Sequence, residues 1–230
     1  MADRLRENAD GGSRVFIVDD HPVVRQGLAQ LVEQERDLAV CGESGMAHEA
    51  LNAIRKLKPD IVVLDISLGD GNGISLIKDI GIHCGPVPVL VLSMHDETLF
   101  AERALRAGAR GYIMKEEATD KVLEAIRKVL RNEVYLSPNM ATRLLDKMLH
   151  NHHRDEAVAS PVANLSNREI EVFELVGFGM RPQAIAARLG ISVKTVDAHR
   201  ANLKRKLRLR NAIELLQYAT QWVQAEKSGK

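Results

Sequence analysis

Five short runs rich in Val, Ile and Leu mark the first half of the chain: "RVFIV", "LAVCG", "IVVL", "VPVLVL" and "GYIM". They begin at Arg14, Leu38, Ile61, Val87 and Gly111, a nearly even spacing. Each gap has room for one helix, and helical periodicity fills it. Val23, Val24, Gly27, Leu28, Leu31 and Val32 recur at that spacing after the first run, and Ala47, Ala50, Leu51, Ile54 and Leu57 after the second, up to Pro59. "TLFAERALRAG" and "TDKVLEAIRKVL" continue the pattern. Few folds are open to such a chain. Strands joined through helices pair in parallel, and apolar runs without alternation are buried on both faces. A doubly wound α/β domain is predicted over residues 13–133, with side chains at the strand carboxyl ends gathered along one edge.

The alternation stops near residue 134. "SPNMATRLLDKMLH" is amphipathic at helical spacing, and "NHHRDEAVASPVAN" reads as a linker, so residues 134–164 are expected to connect two domains. His150, His152 and His153 are read there as linker polarity, since no carboxylate or cysteine stands at ligand spacing. Residues 165–230 are helical by pattern throughout. Ser166 and Glu169 form a capping box with Leu165 and Ile170 as a hydrophobic staple, and Gly179 marks the stop. Pro182 opens a second helix and Gly190 ends it; Ser192 precedes a third, and "NAIELLQYATQWV" makes a fourth.

Charge separates the same regions. Residues 1–133 hold 17 Lys and Arg against 22 Asp and Glu, and residues 165–230 hold 12 against 6. A net of −5 in front and +6 behind points to two domains with different partners. The opening "MADRLRENADGG" lacks the apolar centre of a signal peptide, so residues 1–12 are read as a disordered tail. No apolar run approaches the roughly 18 residues that span a bilayer. Cys41 and Cys84 match no metal or redox spacing. A cytoplasmic protein without membrane contact is expected.

The strand ends carry the chemistry. Strand one ends on Asp19 and Asp20, strand three on Asp65, strand four on Ser93 and strand five on Lys115. Three converging carboxylates repel unless a hard cation joins them, and Mg²⁺ suits oxygen ligands that also face phosphate. A lysine and a hydroxyl both suit a phosphoryl oxygen. Together they describe an aspartate that accepts a phosphoryl group. Compensated by a cation and Lys115, Asp65 is tolerable at the sheet edge, and it is expected to be exposed enough to react.

Those motifs ("VDDH", "VVLDI" with Gly73 eight positions after Asp65, "VLSMHDE" and "GYIMK") resemble the receiver domain of bacterial two-component response regulators, over residues 14 to about 131. The resemblance implies a flavodoxin-like (βα)5 fold with Asp65 as phosphoacceptor. It implies Mg²⁺ held by Asp19, Asp20, Asp65 and the Ser67 backbone carbonyl. Ser93 and Lys115 would bind the phosphoryl group, and Tyr112 would be an aromatic switch that follows Ser93. A sensor histidine kinase would be the donor. Where the family commonly has a Met-Pro pair, Leu68 and Gly69 stand, followed by Asp70, which implies a looser and more acidic loop. Ser67 and His95 occupy positions that in this family tune acyl-phosphate lifetime.

Rival readings of "DISLGDGNGISL" fare worse. An EF-hand starting at Asp65 needs Gly at its sixth position and Glu at its twelfth, where Asp70 and Leu76 stand. A P-loop needs Gly-Lys-Ser/Thr after its glycines, and none follows. A phosphatase with an aspartate nucleophile wants a second Asp at Ser67; steady turnover would distinguish it.

Residues 194–210 hold seven cations, Lys194, Arg200, Lys204, Arg205, Lys206, Arg208 and Arg210, against Asp197 alone. Alone, that is a solvated helix face. Preceded by "AIAARLGIS", it is the layout of a helix-turn-helix, with Ile185, Leu189, Ile191, Val196 and Leu203 as its core. The segment resembles the four-helix DNA-binding domain of the LuxR/NarL/FixJ class. The resemblance places Lys194, Thr195, His199, Arg200 and Lys204 along double-stranded DNA's phosphates or groove wall. Asp197, Ala198 and Ala201 would face base edges, and Ile213, Leu216, Tyr218 and Trp222 would form a homodimer surface or plain core. The expected function is a phosphorylation-dependent transcriptional regulator rather than an enzyme, in which phosphorylation releases or dimerises the output domain. A helical tail that binds another protein is the alternative at this point.

Overall fold

The computed structural model describes residues 12–68, 73–94, 97–150, 162 and 165–228. The chain divides into two compact units, residues 1–146 and 147–230.

In the first unit, strands β1 (Ser13–Val18), β2 (Leu38–Ser44), β3 (Ile61–Leu64), β4 (Val89–Ser93) and β5 (Gly111–Met114) form one parallel sheet in the order β2-β1-β3-β4-β5. Helices α1 (Pro22–Glu33), α2 (Ala47–Leu57), α3 (Gly73–His83), α4 (Glu97–Ala107) and α5 (Ala118–Leu130) make the crossovers. Val15, Ile17, Ile61, Val63, Leu90, Leu92 and Ile113 form a core with Leu28 and Val32 of α1 and with Val122, Ala125, Ile126 and Val129 of α5. Alternate strand residues Phe16, Val62, Leu64 and Val91 are equally buried and point to the other face. Each such aliphatic side chain contributes about 1.5–3 kcal/mol by leaving water. The expected α/β fold is the observed one.

β4 starts two residues later than the run "VPVLVL" suggests. Pro88 has no N–H to offer a ladder, although its carbonyl accepts from Val62 N at 3.0 Å. The unit also takes in residues the sequence assigns to the linker: Tyr135 bridges to Gly111, and helix α6 (Pro138–His150) begins just beyond.

The order reverses at β1, between β2 and β3, the place where doubly wound sheets bind ligands. Asp65 N donates to Val18 O at 2.8 Å, so the β1/β3 ladder runs up to the acidic residues. Gly73 starts α3 against this turn. A Cβ there would lie 2.4 Å from Ile66 Cα and 2.7 Å from Asp65 O, both backbone atoms that cannot yield. Gly73→Ala is therefore expected to cost about 1–3 kcal/mol of receiver stability, read as a lower urea midpoint at unchanged slope.

Beyond the end of α6, the described residues of the second unit form α7 (Asn167–Gly177), α8 (Pro182–Leu189), α9 (Val193–Lys206) and α10 (Ala212–Ser228). The capping box at Ser166 and Glu169 is present, and Gly190 ends α8 with φ of 63°. Ile185, Val196 and Leu203 are fully buried, while Leu189 and Ile191 are half-buried. Phe173 of α7 packs between Tyr218 and Trp222 of α10, with ring centroids 5.8 and 5.3 Å away.

Glu169 ties α7 to the end of α9. Its Oε2 accepts from Ser166 N at 2.7 Å and from Lys206 Nζ at 2.6 Å. Burial pushes this carboxyl up, but Lys206 and Ser166 outweigh it and hold it below its ordinary value of 4.5. A depressed carboxylate stabilises the fold above its unfolded value, and the contribution is lost as pH falls through the folded one. Glu169→Gln is expected to cost about 1–3 kcal/mol at pH 7 and to flatten the loss of stability below pH 4.5, measured by denaturant titration across pH.

Candidate functional site

The strand ends bring Asp19, Asp20, Asp65, Ser93 and Lys115 to one edge. Asp19 follows β1, Asp65 follows β3, Ser93 closes β4, and Lys115 follows β5. Lys115 Nζ lies 2.6 Å from Asp65 Oδ2 and 2.6 Å from Asp19 Oδ2, joining the ends of three strands. Asp65 Oδ1 accepts from Ser67 N at 2.9 Å. Ser93 pairs in register with Met114, and Val91 with Tyr112, so the β4/β5 ladder links the two positions. Ser93 and Tyr112 are both buried.

Asp65 is less open than the sequence suggests. Its side chain is 2% exposed, and the Lys115 side chain that contacts it and Asp19 is itself only 7% exposed. Burial pushes the Asp65 carboxyl above its ordinary range, against the opposing pull of Lys115 and the Ser67 N–H. For Lys115, burial disfavours the charge, yet Asp65 and Asp19 prevail and raise it above the usual lysine value.

One neighbour was not singled out in the sequence. His21 Nδ1 lies 2.7 Å from Asp20 Oδ1 and 3.5 Å from Asp19 Oδ1. Its backbone N–H donates to Asp19 Oδ1 at 2.8 Å, and Pro22 after it opens α1. The signal was available in "DDHP": an imidazole beside two acids at a strand end. Ligand atoms of Asp19, Asp20, His21 and Asp65 all lie within 4.8 Å of one another. Three carboxylates face one ammonium, and this oxygen-rich surplus of negative charge fits a hard divalent cation. Gly69, Asp70 and His95 lie outside the described residues, as do His152 and His153.

In the second unit, Ser192 caps α9, its Oγ accepting from Thr195 N at 3.0 Å. Lys194, Thr195, Asp197, Ala198 and Ala201 are exposed along α9, and Arg200 and Lys204 are half-buried. Arg200 Nη1 leans on Asp197 Oδ1 at 3.4 Å. His199 is half-buried; burial and the nearby Arg168 hold its imidazole below its ordinary value. The four α10 residues divide. Ile213 is 67% and Leu216 43% exposed, whereas Tyr218 and Trp222 face Phe173. No helix among the described residues is long and apolar enough to cross a membrane.

Comparisons with known proteins agree with both halves. The family model of the response regulator receiver domain matches residues 15–127, and that of bacterial regulatory proteins of the luxR family matches residues 163–219. The oxygen regulatory protein NreC of Staphylococcus aureus is 34% identical over 208 residues, covering 90% of this chain and 96% of that protein. A LuxR-family two-component response regulator from Aurantimonas, 34% identical, covers 60% of this chain and 99% of its own, with a TM-score of 0.56. RcsB of Salmonella enterica, solved bound to a promoter with the phosphomimetic BeF3-, is 28% identical. It covers 91% of this chain and 99% of its own, with a TM-score of 0.57. The chain belongs to the NarL/LuxR family of response regulators, phosphorylation-dependent transcriptional regulators that join a receiver to a helix-turn-helix domain.

Proposed function

We propose that Asp65 is the phosphoacceptor and that a sensor histidine kinase is its donor. The observation that carries this is the placement of Lys115 Nζ at 2.6 Å from both Asp65 and Asp19, on the edge where β1, β3 and β5 end. An Asp65 oxygen attacks the phosphorus of a phosphohistidine, the P–N bond breaks, and the departing imidazole nitrogen keeps the electron pair and takes a proton. Lys115 turns from the carboxylates to the new phosphoryl oxygens, and the Ser93 hydroxyl donates to one of them. Asp19, Asp20, Asp65 and the Ser67 carbonyl would hold Mg²⁺, which neutralises carboxylate and phosphoryl charge when bound. Tyr112, already buried, reorients when Ser93 moves and acts as the switch.

The output is binding to double-stranded DNA through α9. Lys194, Thr195, Arg200 and Lys204 meet phosphates, while Asp197, Ala198 and Ala201 turn to base edges. Asp197 is 60% exposed and suits a cytosine amino group. The promoter-bound RcsB supports this assignment by analogy. A homodimer forms through α10, with exposed Ile213 and Leu216 as its apolar centre and Tyr218 and Trp222 behind them. The negative front and positive rear favour a receiver that restrains the output domain until phosphorylation.

The test exposes wild type and Asp65→Asn to a small acyl-phosphate donor with Mg²⁺. Wild type is expected to take up one phosphoryl group per chain and the variant none. Equal labelling of the two would sink the assignment.

A further inference from the structure

Tyr135, past the end of α5, is hydrogen-bonded to the strand that carries the switch. Its carbonyl accepts from Tyr112 N at 2.9 Å, and its N–H donates to Arg110 O at 3.0 Å. These two bonds make Tyr135 a one-residue sixth strand, paired in parallel with Gly111. Gly111 is what permits the approach: a Cβ there would lie 3.1 Å from both Cβ and O of Tyr135 and 2.8 Å from Leu90 Cδ1.

The segment around this bridge is held at both ends. Behind it, Glu133 N donates to Lys128 O at 3.1 Å and Asn132 N to Val129 O at 3.0 Å, with Asn132 at φ of 63°. That is a Schellman cap, which fixes the exit angle from α5. The Lys128 ammonium lies 5.3 Å from the centre of the Tyr135 ring. Ahead of it, Ser137 Oγ accepts from Met140 N at 3.1 Å and caps α6, only two residues after Tyr135. Met140 is buried, so the first turn of α6 is anchored as well.

We propose that residues 133–137 are a rigid strap through which β5 moves α6. This rests on the reading of Asp65 as phosphoacceptor. Phosphorylation draws on Lys115 and Ser93, at the carboxyl ends of β5 and β4. The Tyr112 backbone lies three residues before Lys115, and any shift or twist of β5 passes through two hydrogen bonds to Tyr135. With only Leu136 between the bridge and the cap of α6, no flexible joint absorbs the movement. The helix leading to the output domain is thus geared to the strand that bears the switch. Tyr135 is a coupling residue that need not touch the phosphoryl group.

Two variants of the full chain test this. Tyr135→Pro deletes the N–H that bonds Arg110. Insertion of two glycines between Leu136 and Ser137 leaves every receiver bond intact and only loosens α6 from the bridge. The probe is a DNA duplex selected from a random pool by wild-type chain loaded with Mg²⁺ and beryllofluoride. Wild type is expected to gain affinity on loading, about 5–150-fold for an allosteric coupling of ordinary size. In both variants Asp65 labelling by acyl phosphate is expected to persist while that gain falls towards unity. A glycine-insertion variant that labels and keeps the full gain overturns the strap. Wild type that fails to label overturns the phosphoacceptor reading, and the strap with it; wild type that labels yet does not gain overturns the strap alone.

Discussion

Replacing Lys115 with Ala is expected to destabilise the receiver by about 3–5 kcal/mol at pH 8, the usual result of leaving buried charge without its partner. Two carboxylates lose their counter-charge at once, since the same ammonium contacts Asp19 and Asp65, which are 1% and 2% exposed. Burial already raises the Asp65 carboxyl with Lys115 present. Without it, Asp65 is driven higher still. A carboxyl raised above its unfolded value weakens folding at high pH, and the penalty fades as pH falls through the folded value. The gap between Lys115→Ala and wild type should therefore narrow from pH 8 to pH 5, and again on adding millimolar Mg²⁺. Asp65→Asn placed on top of Lys115→Ala should recover part of the loss, a non-additivity expected of groups in contact. Urea titrations of wild type, both single variants and the double variant at both pH values decide the matter. An equal gap at both pH values would mean that Lys115 acts through packing of its stem.

The same ion pair explains what could and could not be read from the sequence. Asp65 after "IVVL" and Lys115 after "GYIM" were legible because a charge closing an apolar run is a local signal, and the strand order then brings such ends together. The burial of Asp65 was not legible, because it depends on packing set by the whole fold, including the approach of a lysine fifty residues away. His21 could have been found, since its meaning is local to "DDHP". The Tyr135 bridge could not. Both of its hydrogen bonds are between backbones, and a single bridged residue leaves no periodicity in side-chain type. In the output unit the capping box at Ser166 was plain from residue types, but the pairing of Lys206 with Glu169 was hidden. As a sequence, Lys206 is one more cation in a basic run; in the fold it closes α9 against Glu169 of α7.

The Lys206–Glu169 pair separates the cations of α9 into two groups with different effects. Lys194 is exposed on α9 and Arg200 and Lys204 are half-buried, Arg200 within 3.4 Å of the exposed Asp197, whereas Lys206 is held by Glu169. Two copies on one duplex would then bring about six cations to phosphates, enough for a slope near −5 in log affinity against log salt. Affinity for duplex DNA is accordingly expected to fall by about 10³-fold between 50 and 200 mM salt. Lys204→Ala should weaken binding to all sequences alike and reduce the slope by about two for a dimer, one contact in each copy. Lys206→Ala should leave the slope unchanged and instead lower the stability of the output unit, because its loss strands Glu169 rather than a phosphate. Fluorescence anisotropy across a salt series, with denaturant titration of the same variants, separates the two. A slope that drops equally for both would place Lys206 on the DNA and dissolve the Glu169 pair in the complex. Binding that ignores salt would remove the electrostatic basis for DNA recognition and leave α9 as a surface for another protein.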